Sequence, residues 1–274
     1  MPNQPNPTSP SRPSAAAFLQ AKTQGRKLSL VTCYDYTLAR LLASTAIDAV
    51  LVGDSAAMVV HGHPSTLSAT VAMMCLHTEA VARGAGAKLV VADMPFLSFR
   101  KGVPAALEAA RELIAAGAHA VKLEGVDGHE DVIERLAGSG IPVMGHLGMQ
   151  PQSVHAYGGF RVQGRGEEAA RAILRQAATL ESLGAFAVVL ECIPAVLAGQ
   201  VTGALRIPTI GIGAGAACDG QILVLQDLLG MNADFKPRFV RAFADGADVV
   251  ARAVGRYVEA VEAGEFPAAR EAYE

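Results

Sequence analysis

The chain has 274 residues, of which 51% are hydrophobic and 18% charged, with a formal net charge of −3. This excludes a disordered chain, because there is ample apolar surface for a core, and the lack of a basic excess speaks against nucleic acid or acidic lipid as a main partner. The length fits either two ordinary domains or one large α/β barrel and does not choose between them.

Residues 1–14, MPNQPNPTSPSRPS, carry prolines at positions 2, 5, 7, 10 and 13 and offer no apolar face, so they are expected to be a disordered tail. The stretch lacks the apolar centre of a secretion signal, and no later apolar run approaches the roughly 20 residues that cross a bilayer. Four scattered cysteines, Cys33, Cys75, Cys192 and Cys218, have no CxxC spacing. They read as small buried residues in a reducing cytosol, with a redox or metal role as the alternative. The expected location is the cytoplasm.

Seven short runs rich in Val, Leu and Ile are predicted strands: Ser29–Tyr34, Ala49–Gly53, Lys88–Ala92, Ala120–Leu123, Pro142–Gly145, Ala185–Leu190 and Ile207–Ile212. An eighth candidate, Gly220–Leu225, could equally be a helix. Runs this continuous fit parallel strands covered on both faces. The segments between them have helical spacing. Val103–Ala116, for example, has Pro104 near its first turn and Gly117 as its stop. Repeated strand–helix alternation predicts a parallel α/β architecture.

An internal repeat sharpens that reading. Gly117-Ala-His-Ala-Val-Lys-Leu-Glu124 matches Gly184-Ala-Phe-Ala-Val-Val-Leu-Glu191 at six of eight positions, and each is followed by Ile-Pro-x-x-Gly, at Ile141 and at Ile207. Two equivalent βαβ units are what a closed (β/α)8 barrel leaves in a sequence; convergence of generic βα units is the alternative.

The predicted strands lead into Asp35, Asp54 then Ser55, Asp93, Glu124, His146 and Glu191. In a barrel all these ends lie on one face, where active sites form. Each acid alone is also a plausible helix cap. Together they would repel one another unless a cation sat among them. The oxygen ligands Asp54, Asp93 and Glu124 favour magnesium over zinc. Lys122 shares a strand face with Glu124 and lies in an apolar run, where a lysine needs an anion. Either it forms a structural salt bridge with Glu124, or it receives a carboxylate or enolate oxygen of substrate. Glu191 has the place of Glu124 in the repeat but Val189 instead of Lys122; with apolar flanks it is a candidate general base.

Three further stretches are weaker signals. Gly211-Ile-Gly-Ala-Gly215-Ala216 meets a relaxed dinucleotide pattern, but it follows a late strand and no clear acid-ended strand comes after it. Leu147–Gly166 is long for a βα loop and reads as a lid or binding loop. His61 and His63 read as turn or interface histidines before metal ligands.

These blocks resemble the ketopantoate hydroxymethyltransferase family. The resemblance runs from about Leu28 to Pro267, and its most specific stretches are Thr32-Cys-Tyr-Asp-Tyr36, Leu51-Val-Gly-Asp-Ser55, Gly62-His-Pro-Ser-Thr-Leu67, Ala92-Asp-Met-Pro-Phe96, Val121-Lys-Leu-Glu-Gly125, Gly145-His-Leu-Gly148, Gly158-Gly-Phe-Arg-Val-Gln-Gly-Arg165 and Gly211-Ile-Gly-Ala-Gly215. It implies a (β/α)8 TIM barrel of the phosphoenolpyruvate mutase/isocitrate lyase type, one domain over 15–274, usually assembled as a homodecamer. The implied reaction moves a hydroxymethyl group from 5,10-methylenetetrahydrofolate to 3-methyl-2-oxobutanoate, giving 2-dehydropantoate for pantothenate synthesis. By the same resemblance Asp54, Asp93 and Glu124 bind Mg²⁺, and Asp54, Ser55, Asp93 and Lys122 contact the oxo acid. Glu191 takes the proton, with His146 as a supporting catalytic residue.

The nearest rival is a magnesium-dependent lyase or mutase of the same superfamily acting on another 2-oxo or 2-hydroxy acid; no lyase-type KKCGH loop is present to favour it. A non-catalytic scaffold has no need of so many packed carboxylates, and a dehydrogenase rests on the glycine pattern alone. The sequence departs from the family at Ala56-Ala57-Met58, where a glycine commonly precedes the methionine, and at a C-terminus without the usual histidine-containing tail. If Ala57 needs a positive φ, its loop is strained.

Overall fold

Eight parallel strands pair in sequence order and close on themselves in the computed structural model, which describes residues 14–232 and 237–273. They are β1 (Leu28–Thr32), β2 (Ala49–Val52), β3 (Leu89–Asp93), β4 (Ala120–Glu124), β5 (Val143–Gly148), β6 (Ala187–Glu191), β7 (Thr209–Ile212) and β8 (Gly220–Leu223). Closure is made by β8 pairing on β1, with Leu28 opposite Gly220 and Val31 opposite Leu223. Apart from Ser14, the proline-rich tail lies outside the described residues.

Alternation along each strand explains why these segments read as unbroken apolar runs. One set of side chains, including Leu30, Leu51, Val91, Ala120, Met144, Val189 and Ile222, packs together inside the barrel. The set between them, including Val50, Val90, Val121, Leu123, Val188 and Leu190, packs outward against helix residues such as Met74, Leu113, Leu136 and Leu180. Both faces of β2 to β5 are buried throughout, so these strands lack the exposed polar positions that would mark a half-exposed sheet. Burying each Val or Leu completely is worth about 1.5–3 kcal/mol, and that term favours the closed sheet over any open edge.

The amino-terminal end of the barrel is covered by the helix Ala15–Thr23. It places Phe18 and Ala21 in the inner cluster, with the Phe18 ring edge-on to Phe186 at 5.5 Å. Lys22 anchors it, reaching the carbonyls of Thr202 and Ile207 and the Asp219 carboxylate at 2.9 Å.

The repeat seen in the sequence occupies equivalent places. Gly117 and Gly184 precede β4 and β6 with φ of 108° and 92°. A Cβ there would lie 2.6 Å from the Ala82 Cβ and 3.0 Å from the Ala137 Cβ, so both the backbone angle and the close approach select glycine. The helix predicted before Gly117 runs Val103–Ala115, with proline in its first turn. The ambiguous segment after Gly220 is both things in turn: a strand to Leu223, then a short helix Leu225–Leu228. Ala56 and Ala57 lie in the short helix Ala56–Val59 with no positive φ, so the strain considered for Ala57 does not arise.

The residues form two compact units, one through Leu223 and one from Val224 onward. The second contains the helix Gly246–Glu262, none of whose residues is buried. Within it, the amides of Phe243 and Gly246 bond to the carbonyls of Leu228 and Leu229 at 2.8 and 2.7 Å. All four cysteines are free thiols, and among the described residues no helix is long and apolar enough to cross a membrane.

Candidate active site

The inward face of the strands changes character near their carboxyl ends. Two residues on from Val91 comes Asp93, from Ala120 comes Lys122 and then Glu124, from Met144 comes His146, and from Val189 comes Glu191. The period-two geometry that fills the barrel with apolar groups thus turns these five toward the same mouth. Register makes them neighbours: Asp93 stands opposite Lys122, Glu124 opposite His146, and Gly148 opposite Glu191. Here β5 extends beyond the predicted Pro142–Gly145, so His146 is a ladder residue instead of the first residue of a loop. Asp54 joins from the turn after β2, its backbone N–H donating to Asp93 Oδ2 at 3.0 Å.

The contacts form a continuous chain. Lys122 Nζ lies 2.9 Å from Asp93 Oδ1 and 3.3 Å from His146 Nδ1. The other imidazole nitrogen, Nε2, lies 3.2 Å from Glu191 Oε2. Lysine can only donate, so Nδ1 accepts and the ring proton is placed on Nε2, facing Glu191. Two atoms in this chain, Asp93 Oδ1 and His146 Nε2, are close to their ionic partners yet lack an aligned hydrogen bond. Glu191 is the most open member, its side chain 17% exposed, and it faces an imidazole, not the apolar surroundings expected from its sequence neighbours.

The electrostatics follow from burying three acids, Asp54, Asp93 and Glu124, with one lysine. Burial, and then the Asp93 charge, push Asp54 up to about 7 against the pull of Lys122 and the Gln152 amide. Glu124 is held well above the usual carboxylate range by burial and by Asp54. Burial works against the Lys122 charge, but Asp93, Asp54 and Glu124 more than offset it and hold the ammonium above its ordinary value. His146 is lowered by burial and by Lys122, which keeps the imidazole neutral.

Asp35 does not join the site: exposed at the start of the helix Tyr36–Ala43, it caps that helix by accepting from the Leu38 N–H at 2.8 Å. Ser55 lies beside Asp54 with its hydroxyl 2.8 Å from the Tyr34 hydroxyl. His61 and His77 share a 2.9 Å contact between Nε2 atoms, and His77 Nδ1 is 2.7 Å from the Tyr34 carbonyl, so these histidines brace a turn. The loop Gly213–Gly215 leads to β8 with no intervening helix, which removes the dinucleotide-type geometry. Two participants carry no distinguishing signal in the sequence. Tyr34, buried at the end of the first predicted strand, supports Ser55, and Gln152, inside the long loop, touches Asp54 and Glu124.

The donor set suits a hard divalent cation. Asp54, Asp93 and Glu124 offer only oxygen and carry more negative charge than Lys122 can balance. Among the described residues no three His, Cys, Asp or Glu side chains form a finished metal cage. Magnesium does not require one, since it keeps several waters and is usually held by one or two carboxylates plus substrate oxygens.

The profile of ketopantoate hydroxymethyltransferases matches residues 12–269. The chain belongs to that family. It is 53% identical over 256 residues to the 3-methyl-2-oxobutanoate hydroxymethyltransferase of Bdellovibrio bacteriovorus, covering 93% of this chain and 97% of that one. It is 51% identical over 261 residues to the enzyme of the same name from Francisella tularensis subsp. novicida, covering 95% and 98%. Among solved structures, a phosphonopyruvate hydrolase crystallised with oxalate and Mg²⁺ shares the fold at a TM-score of 0.60 and 12% identity, covering 94% of this chain and 92% of that one. A 2,3-dimethylmalate lyase of the phosphoenolpyruvate mutase/isocitrate lyase superfamily does so at 0.56 and 20%, covering 92% and 87%. This hydroxymethyltransferase-family barrel is therefore an enzyme with the superfamily's fold, and its polar cluster stands at the end of the barrel where such enzymes work.

Proposed function

We propose that the chain transfers a hydroxymethyl group from 5,10-methylenetetrahydrofolate to 3-methyl-2-oxobutanoate, giving 2-dehydropantoate. The observation that carries the reading is the chain of contacts Asp93–Lys122–His146–Glu191, which sets a fixed cation and a carboxylate base on opposite sides of one neutral imidazole. Its family relatives bear the name of that activity.

Asp54, Asp93 and Glu124 would hold a magnesium ion, directly or through water. When bound, the ion would draw electron density from the 2-oxo acid and so acidify its C3 proton. Glu191, partly open to the mouth, removes that proton, and the His146 N–H facing its carboxylate orients it for the transfer. Lys122 holds the negative charge that gathers on the substrate oxygen, with Ser55 fixing the acid's position from its hydrogen bond to Tyr34. The C3 electron pair then forms a bond to the one-carbon unit of the folate. Both carbon–nitrogen bonds that hold this unit to the folate break, water supplies the hydroxyl oxygen, and the two freed nitrogens take up one proton each, one from C3 by way of Glu191 and one from the water.

Self-association, as a homodecamer, and a cytoplasmic site of action belong to the same proposal. Supporting the first, the helix Gly246–Glu262 leaves Val250, Val254, Tyr257 and Val261 exposed.

Proton NMR of 3-methyl-2-oxobutanoate in D₂O tests the chemistry without folate. Wild-type protein should exchange the C3 proton, EDTA should stop the exchange, and Glu191→Gln should abolish it while still binding metal. Exchange at the wild-type rate in Glu191→Gln would overturn the assignment of the base.

A further inference from the structure

The loop leaving β5 sends one side chain back into the site. Gln152, on the short turn Pro151–Ser153, is 7% exposed. Its amide nitrogen donates to Asp54 Oδ2 at 2.8 Å and to the Met94 carbonyl at 3.1 Å, and its backbone N–H donates to Glu124 Oε2 at 3.0 Å. Both amide hydrogens are thereby used. Turning the amide over would set its oxygen against a carboxylate and a carbonyl, so only the donating orientation satisfies the network. One loop residue thus ties together the segments that follow β2 and β3 and the last residue of β4.

In each carboxylate Gln152 occupies one oxygen, Oδ2 of Asp54 and Oε2 of Glu124; the other Glu124 oxygen, Oε1, lies 3.7 Å from His146 Nδ1. A carboxylate held this way cannot rotate freely, and its remaining oxygen is already aimed when a cation arrives. We propose that Gln152 is the positioning residue of the cation site, and that it couples cation affinity to the folding of the loop from Met149 to Gly166. This rests on the reading that Asp54, Asp93 and Glu124 hold a divalent cation. Coupling of this kind is reciprocal: if the folded loop favours the ion, the ion favours the folded loop by the same factor.

Mn²⁺ serves as the probe, titrated into the full chain and followed by electron paramagnetic resonance. Gln152→Leu and Gln152→Met both remove the side-chain donors to Asp54 and Met94 and keep most of the bulk, while the backbone bond to Glu124 remains. Each should weaken Mn²⁺ binding by about ten- to a hundredfold, the usual cost of losing a partner behind a metal ligand. Hydrogen exchange on the unmutated protein gives an independent reading, with amides of residues 149–166 slowing when Mn²⁺ is added. Affinity within twofold of wild type in either folded variant, or exchange unaltered by Mn²⁺, overturns the role of Gln152. Absence of Mn²⁺ binding by the wild type itself would overturn the cation reading beneath it.

Discussion

Replacing Lys122 by methionine keeps most of the buried stem and removes the charge. The ammonium is buried with its Nζ 2.9 Å from Asp93 Oδ1, and its charge acts on Asp54 and Glu124 as well. Taking away one partner of a buried pair leaves the other uncompensated, at about 3–5 kcal/mol. In a chain of this size each kcal/mol moves the melting temperature by about 2–4 °C, so Lys122→Met should melt about 6–20 °C lower at pH 8 without divalent cations. The deficit should shrink on acidification. Asp54 is an acid whose folded pKa, about 7, lies above its unfolded one. Such a group costs no stability below its unfolded pKa and withdraws stability as pH rises toward and through the folded value. With Lys122 gone the carboxylates take up protons still more readily, so the variant recovers at pH 5.5. The double variant Lys122→Met with Asp93→Asn, which removes both charges, should regain most of the loss. Calorimetric melts at pH 5.5 and 8 decide the matter. A variant melting within about 2 °C of wild type at pH 8, or one hurt more at pH 5.5, would refute the reasoning.

Phe18→Ala should lower stability by about 3–5 kcal/mol in urea unfolding, because it empties a buried aromatic site, while C3 exchange per folded molecule stays at the wild-type rate. A catalytic loss larger than the loss of folded protein would contradict the placement of that helix far from the chemistry. Gly53→Ala puts a methyl group 2.7 Å from Ser55 Oγ and 3.6 Å from Asp93 Oδ2, so the hydroxyl must leave Tyr34. Exchange efficiency should fall by about ten- to a hundredfold, since displacements near 1 Å have such effects; unchanged efficiency would show that Ser55 does not position the acid. Burial pushes the Cys33 thiol up to about 11. Native protein at pH 8 should therefore react with a thiol reagent at Cys33 far more slowly than urea-unfolded protein. By linkage this raised acid withdraws stability only as pH climbs from about 9 toward 11, so rapid labelling of native Cys33 at pH 8 would disprove its burial.

Much of the barrel was readable because one physical rule, alternation between two faces, shapes every strand. The same rule carried Lys122 and Glu124 to one side and placed Asp93, His146 and Glu191 at the mouth. What failed to show had local causes. Asp35 and Asp93 look alike in sequence, each an acid after an apolar run, yet one caps a helix and the other enters the site: Asp93 is the last residue of β3, whereas β1 ends at Thr32, three residues before Asp35. Gly220-Gln-Ile-Leu223 is too short to choose strand over helix until β1 and β7 stand on either side of it. Gln152 carries no mark at all, because a glutamine in a glycine-rich loop acquires meaning only when the loop folds back over Asp54 and Glu124. Glu191 drew attention through apolar sequence neighbours, whereas its working neighbour, His146, belongs to the adjacent strand.

The inward side chains of the strands fill the barrel, and the helix Ala15–Thr23 adds Phe18 to them and fastens Lys22 to Asp219, so the barrel is a well and not a pipe. Whatever is held by Asp93, Lys122 or Glu124 arrived past the loops at the carboxyl end and leaves by the same route. A group seated against Lys122 cannot be replaced from below while another molecule fills the opening above it, so turnover in such a vessel is a matter of queueing as well as of chemistry.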